Sequence, residues 1–407
     1  MYDDLAICYT QRNLSMIQYI QHHFDYQAQR EAHLEPYQPQ TLPLQGLDYG
    51  KLITLVGEAN AALAEYNGLL QAMLNPAVML SPLTNQEAVL SSRIEGTQAT
   101  VEEVLEHEAG ETYDSEKLAD IKEIQNYRKA LILASESLAD RPIRLSLTLQ
   151  IHGILMDSVR GQHKSPGEFR KDQNWIGAHG CTMEEASFVP PNPLQLHDHL
   201  QAWETYLAEE DFDVLAQSAI VHAQFELLHP FKDGNGRIGR LLIPLFLYSK
   251  KRLISPMFYL SAYLEAHRTE YYARLRAISA DNDWNGWIAF YLKGVAEQAK
   301  TNCQRIQAIM ALHVHTKEQV RELTHSQHST PLVDALFERP IFRVKDLCER
   351  LNIKKPTLHS LIKRLLDAGI ITTLKKGAGR RPATLAFPQL LNIAEGREVV
   401  QTTSKAQ

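Results

Sequence analysis

A mainly α-helical fold closed by a small, basic winged helix-turn-helix module is what this sequence predicts, and three observations predict it. Apolar residues recur at three- and four-residue spacings through most of the 407 residues, while alternating runs are short and few. Between Arg339 and Arg381 twelve basic residues stand against three acidic ones, a balance of +9 that leaves -15 on the rest of a chain whose net charge is -6. Within that segment RVKDLCERLNI and KKPTLHSLIKRLLDAG read as two amphipathic helices, the second ending at Gly369. IITTLKKGAGRRPATLAF follows as strand, basic loop and strand. Helix, turn, helix and hairpin is the order of a winged helix-turn-helix.

Taken in order, residues 1–40 are polar, rich in Gln and His, and end in EPYQPQTLP, which reads as an extension. Residues 41–140 form a helical region: a run from about Tyr49 to Met73, a break at NPAVMLSPL with its two prolines, and a helix through NQEAVLSSRIEGT. Residues 141–312 read as a helical core interrupted by GEFRKDQNWIGAHGCTMEEASFVPPNP, where aromatic and β-branched residues flank a Gly-rich turn and prolines stop it, the pattern of a β-hairpin. A helix end and the linker HSQHSTP, His325 to Pro331, occupy 313–331, the winged module 332–390 and a tail 391–407.

With 44% hydrophobic and 22% charged residues the chain falls in the soluble globular class, and it has no apolar run of membrane-spanning length. Its start, MYDDLAICYTQRNLSMIQ, lacks a basic stretch followed by an apolar one, so the cytoplasm is the expected compartment. Cys8, Cys181, Cys303 and Cys348 are scattered without a CxxC pair, which argues against a zinc ribbon or a disulfide framework.

The chemistry concentrates in HPFKDGNGRIGR, residues 229–240. Apolar stripes on both sides, Ile220, Ala223, Leu227 and Leu228 before it and Ile238, Leu241, Leu242 and Leu245 after it, make it a loop between two helices. Gly234, Asn235 and Gly236 let the backbone turn its N–H groups inward at a helix N-terminus, where an anion is stabilised. Arg237 and Arg240, about one turn apart, can clamp phosphate oxygens. Asp233 is placed to hold Mg2+, which takes few protein carboxylates and several phosphate and water oxygens. His229 can take a proton near neutral pH. A plain turn is disfavoured by the helical flanks, and an EF-hand fails because Arg237 stands where an oxygen ligand belongs. Base, metal ligand, anion nest and clamps describe transfer from a nucleoside triphosphate.

This stretch resembles the signature of the Fic family, His-x-Phe-x-Asp/Glu-Gly-Asn-Gly-Arg-x-x-Arg, at every defined position. The resemblance implies AMP transfer from ATP to a Ser, Thr or Tyr hydroxyl of a protein. It implies His229 as base, Asp233 as Mg2+ ligand, Gly234, Asn235 and Gly236 as the nest for the phosphates, and Arg237 and Arg240 as triphosphate contacts. Ile238 and Gly239 belong to the same nucleotide-binding run, and Phe231 would anchor the loop.

Far upstream, SSRIEG resembles the family's inhibitory-helix motif, with Ser91, Glu95 and Gly96 at its defined positions. The resemblance implies that Glu95 pairs with Arg240 and takes the place the γ-phosphate needs. NWIGAHGCTMEEASFVPP resembles the flap that docks the target segment by strand pairing, and Ser187, Phe188 and Val189 would border the nucleotide. Tyr271 and Tyr272, in EYY, resemble the segment lining the adenine or ribose pocket; where some relatives carry asparagine, this chain has Ser279. Two alternatives stay open: a DNA-binding regulator whose core senses nucleotide, and an enzyme that transfers another phosphate-containing group or removes AMP. The basic segment leaves DNA open as a partner, and self-association as a homodimer is likewise undecided.

Overall fold

The computed structural model describes residues 35–139, 141–159, 163–178, 180–379 and 381–401. The polar run expected as an extension therefore lies largely outside the described residues, as do Cys8 and Arg380. Among the described residues are sixteen α-helices and one three-stranded sheet, so the mainly α expectation holds.

The N-terminal region comprises α1 (Tyr49–Ala72), α2 (Pro76–Met79), α3 (Ser81–Ile94), α4 (Val101–Glu108) and α5 (Ser115–Ser137). Their starts are set by side-chain caps that satisfy otherwise orphaned N–H groups: Asp48 for α1, Asn75 for α2, and Asp114 for α5. Thr100 and Glu103 form a reciprocal capping box on α4. Gly96, at φ 100°, ends α3 in the left-handed region that a side chain disfavours, so Glu95 becomes the last residue before the turn.

The core continues with α6 (Leu145–Leu155), α7 (Pro193–Ala208), α8 (Val214–Leu228), α9 (Asn235–Ser249), α10 (Ser261–Ala266), α11 (Arg268–Asp281) and the 41-residue α12 (Trp284–Thr324). Helix α8 is buried on nearly all sides, the mark of a central helix. It is pinned by two buried indoles: Trp203 of α7 donates to the Val221 carbonyl at 3.0 Å and Trp287 of α12 to that of Ala219 at 2.8 Å. Helices α1 and α12 pack along each other, and α9 lies against α8.

The C-terminal module is α13 (Ser329–Glu338), β1 (Ile341–Phe342), α14 (Val344–Leu351), α15 (Lys355–Asp367), β2 (Thr372–Lys375), β3 (Thr384–Ala386) and α16 (Pro388–Glu395). The sheet order is β1-β3-β2, antiparallel throughout. The two helices and the strand, loop and strand expected after Arg343 are present in that order.

The helix end expected within 313–331 falls at Thr324, because Thr316, Val320 and Thr324 continue the buried stripe of α12 at four-residue spacing. The expected linker shrinks to residues 325–328, since Ser329, Thr330 and Pro331 open α13, where proline is tolerated. The hairpin near residue 180 is closed by an isolated bridge, Ile176 to Phe188, around a short 3-10 turn at Met183–Glu185. Pro190 and Pro191 lack the N–H groups that would extend the ladder.

Candidate active site

The loop between α8 and α9 is held rigidly from within. His229 caps α8 in the left-handed region at φ 45°, its N–H donating to the Phe225 carbonyl at 3.1 Å. Phe231 is fully buried and stacks on the His152 ring at 3.7 Å with an interplanar angle of 10°. Asn235 closes the loop: its Oδ1 accepts the Phe231 N–H and its Nδ2 donates to the Phe231 carbonyl, both at 2.8 Å. Gly234, at φ 80°, caps α9, and an added Cβ there would stand 3.1 Å from Met156 Sδ. The Asn235 side chain thus braces the loop and Ile238 lies in the core, so both can meet a nucleotide only through the backbone.

His229 Nδ1 faces the Glu226 carbonyl at 3.3 Å, which assigns the proton of the neutral ring to Nδ1 and leaves Nε2 as the acceptor. Burial pushes this imidazole down to about 4, so it is an uncharged base at neutral pH. Asp233 holds the Gly234 N–H at 2.6 Å and Arg237 Nη2 at 3.3 Å, both through Oδ1, on a side chain 42% exposed. Among the described residues no three His, Cys, Asp or Glu side chains gather into a metal cage. A lone exposed carboxylate beside an anion nest suits Mg2+, whose remaining ligands are phosphate and water oxygens.

Both motif arginines are already paired. Arg237 lies between Asp233 and Glu123 of α5, whose Oε2 is 3.2 Å from Nη1. Arg240 is buried and reaches α3: Nε donates to Ser91 Oγ at 3.0 Å, and Nη2 to the Ser91 carbonyl at 2.8 Å and to Glu95 Oε1 at 2.7 Å. Burial works against charge on the Glu95 carboxyl, but Arg240 outweighs it and holds the group below its usual range. The carboxylate lies over the first turn of α9, where a Cβ on Gly236 would fall 2.2 Å from Glu95 Oε1 and 2.9 Å from Arg240 Nη1. Gly239 is equally close to Glu226 on α8, whose carboxyl burial pushes up to about 8.

Around this centre, Tyr271 is buried and its hydroxyl meets His222 Nε2 at 3.0 Å, whereas Tyr272 is 43% exposed beside it. Ser187 and Phe188 donate their N–H groups to the Ile176 carbonyl at 2.8 and 3.1 Å. The buried Val189 offers its carbonyl to the Tyr37 N–H at 2.9 Å. Ser279 only returns a hydrogen bond to the Arg276 carbonyl at 2.9 Å. Four side chains that sequence reasoning passed over build the site. His152 Nε2 donates to the Asp233 carbonyl at 3.0 Å and its Nδ1 accepts the Gly167 N–H at 2.9 Å. Arg170 donates to the carbonyls of His229 at 3.0 Å and Pro191 at 2.6 Å, tying the flap base to the loop. Glu123 and Glu226 complete the set; the available signal was a charged residue inside an apolar helical stripe.

Two stretches of the chain match family models. Residues 53–136 match the family model described as Fic/DOC family N-terminal, and residues 142–247 the one described as Fic/DOC family. A probable protein adenylyltransferase of Aquifex aeolicus is 28% identical over 169 residues, 41% of this chain and 49% of that protein. The protein adenylyltransferase Fic of Drosophila sechellia is 29% identical over 216 residues, 50% of this chain and 39% of that protein. The chain thus spans about half the length, or less, of these curated relatives. A Fic family protein from Desulfovibrio desulfuricans G20 superposes with a TM-score of 0.53 at 18% identity, covering 87% of this chain and 98% of that one, a likeness of fold.

Proposed function

We propose that this chain, which carries the Fic/DOC family N-terminal region and the Fic/DOC domain, transfers AMP from ATP to a Ser, Thr or Tyr hydroxyl of a target protein or of itself. The observation that carries the reading is the convergence of His229 and Asp233, on the loop between α8 and α9, with the glycine-lined start of α9 and Arg240 on that helix. The target oxygen gives its proton to His229 Nε2 and forms a bond to the α-phosphorus. The bond from that phosphorus to the bridging oxygen breaks, and pyrophosphate leaves with the electron pair. Backbone N–H groups of Asn235 and Gly236 cradle the phosphates beside Gly234, whose own N–H Asp233 holds, and Arg237 and Arg240 stabilise the charge of the leaving group. When bound, Mg2+ would neutralise phosphate charge, and Asp233 is the residue that would hold it.

In the resting form Glu95 opposes this. Its carboxylate holds Arg240 and lies beside Gly236, where the terminal phosphate would come, so the chain is autoinhibited. Ser91 steadies the arginine and Gly96 ends the helix so that Glu95 can reach it. The flap around Ser187, Phe188 and Val189 receives the target segment, and Tyr271 and Tyr272 border the base or ribose. Loss of labelled AMP transfer in His229→Ala together with a gain in Glu95→Gly supports the assignment; unchanged labelling in both overturns it.

A second surface accompanies the first. We read the C-terminal module as a winged helix-turn-helix that contacts duplex DNA, supported by the exposed Lys354 just before α15, Lys355 and Lys363 on it and Lys376 beyond β2. Among the described residues no helix is long and apolar enough to cross a membrane, and the free thiols Cys181, Cys303 and Cys348 accord with the cytoplasmic location this reading assumes.

A further inference from the structure

The cations of the C-terminal module are divided between two tasks. Lys354, Lys355, Lys363 and Lys376 face solvent, but Lys375 and Arg381, which flank the loop between β2 and β3, turn back onto the N-terminal region. Their target is a pair of carboxylates just after the inhibitory motif. Glu111, 1% exposed, is approached by Arg343 Nη2 at 2.9 Å, Lys375 Nζ at 3.7 Å and Arg381, and accepts the Thr384 hydroxyl at 2.7 Å. Glu106, on α4, takes Lys375 Nζ at 2.5 Å and the Tyr113 hydroxyl at 2.5 Å. A carboxylate so withdrawn from water is tolerated only with such partners, and every cation on Glu111 comes from the module.

The module also grips α3 itself. Helices α13 and α16 pack against it, the Ser81 hydroxyl at its start donates to the Glu338 carbonyl at 2.9 Å, and Arg305 of α12 holds Gln86 at 2.7 Å. Thus α3 is fixed along its length by the C-terminal part of the chain and at its end by Arg240.

We propose that duplex DNA and the Glu106–Glu111 pair compete for Lys375 and Arg381, so that DNA bound by α15 and the basic loop frees α3 and withdraws Glu95 from Arg240. This rests on the transferase reading and on the DNA-contact reading above. Phosphates are the chemistry that exchanges for carboxylates on the same cations, and the uncommitted lysines on α15 supply the first attachment. Competition for one set of charges makes the two events linked, and linkage is reciprocal: whatever weakens the carboxylate contact must strengthen DNA binding.

The test uses the full chain and a fluorescent mixed-sequence duplex of about 20 base pairs, two helical turns. Expected are salt-sensitive binding, tighter binding by Glu106→Gln, and wild-type AMP incorporation raised roughly fivefold or more by saturating duplex, with no further rise in Glu95→Gly. Faster hydrogen exchange across residues 81–96 on duplex addition is the readout that needs no enzyme activity. If Glu95→Gly is active but duplex changes neither wild-type labelling nor exchange in α3, the coupling is wrong and the transferase reading stands. If Glu95→Gly is inactive the transferase reading fails, and exchange in α3 alone decides the coupling. Absence of duplex binding at low salt, including the case where only an acidic protein binds, overturns the DNA surface.

Discussion

Glu95 Oε1 stands 2.7 Å from Arg240 Nη2 although 145 positions separate them in the chain, and the carboxylate ends a helix that belongs to a different region from the arginine. The arginine side chain is 1% exposed and the glutamate 35%, so the pair is closed on one side and reachable on the other. Two of the three hydrogen bonds that Arg240 makes to α3 go to Ser91, from Nε and Nη2, and do not depend on the Glu95 side chain.

Glu95→Gly should therefore raise labelled AMP incorporation by roughly 5- to 150-fold, the usual range of an allosteric coupling, with self-modification the first product seen. Glu95→Gln keeps the size but loses the charge and should fall between wild type and Glu95→Gly. Equal activity of the two variants would mean that bulk, not charge, blocks the triphosphate.

Gly236→Ala separates the nest from the switch. The new methyl would collide with Glu95 Oε1 and Arg240 Nη1, both movable side-chain ends, so the carboxylate is displaced. The same methyl fills the cradle where phosphates sit. Gly236→Ala should release Glu95 and yet show no gain in AMP transfer, and adding Glu95→Gly to it should restore little. Activity like that of Glu95→Gly alone would place the phosphates elsewhere.

Much of this was legible beforehand, and what was missed has a physical pattern. The loop expected between two helices at His229 to Arg240 lies between α8 and α9, legible because a tight turn needs its glycines and an anion site would need its cations close in sequence. The fold class followed from periodicity. Hidden were the groups whose role depends on packing: His152 reads as one polar residue in LSLTLQIHGIL until Phe231 stacks on it. Arg170 reads as part of a charged turn until its guanidinium meets the carbonyls of Asp172, Pro191, Leu228 and His229. The basic segment was read as a surface for a partner, and the sequence offered no sign that Glu106 and Glu111 would engage part of it.

His229 should be fit to act as a base well into the acid range. Burial first, and then the balance of its neighbours, holds it at about 4, and the Glu95 charge is one of the influences raising it. Removing that charge lowers it further. In Glu95→Gly the acid limb of the AMP-transfer profile should fall below pH 6.5, the ordinary imidazole value, while His229→Ala loses on the order of 100- to 10,000-fold in rate at every pH. A limb near 6.5 would show the ring to be solvated when it works.

Asn235→Ala should cost stability as well as activity. Its side chain makes both hydrogen bonds to the Phe231 backbone in a fully buried setting, so truncation strands a buried donor and a buried acceptor. A loss of about 2–3 kcal/mol is expected from urea unfolding, with the melting temperature falling accordingly. A change within experimental error would mean that His152 and the Gly234 turn hold the loop without it.

Glu226 sets a pH dependence whose sign can be isolated by mutation. Burial raises its carboxyl to about 8 from 4.5, so near neutrality the folded chain keeps a proton that the unfolded chain has released. Its contribution to stability is present below about pH 4.5 and is lost as the pH climbs through 8. Glu226→Gln carries no such proton, so its stability relative to wild type should improve between pH 5 and 8, by at most about 1.4 kcal/mol per pH unit, and level off above 8. Urea midpoints of the two proteins at four pH values measure this directly. Parallel curves would mean that Glu226 ionises in the folded chain as it does in the unfolded one, with Arg240 outweighing burial as it does for Glu95.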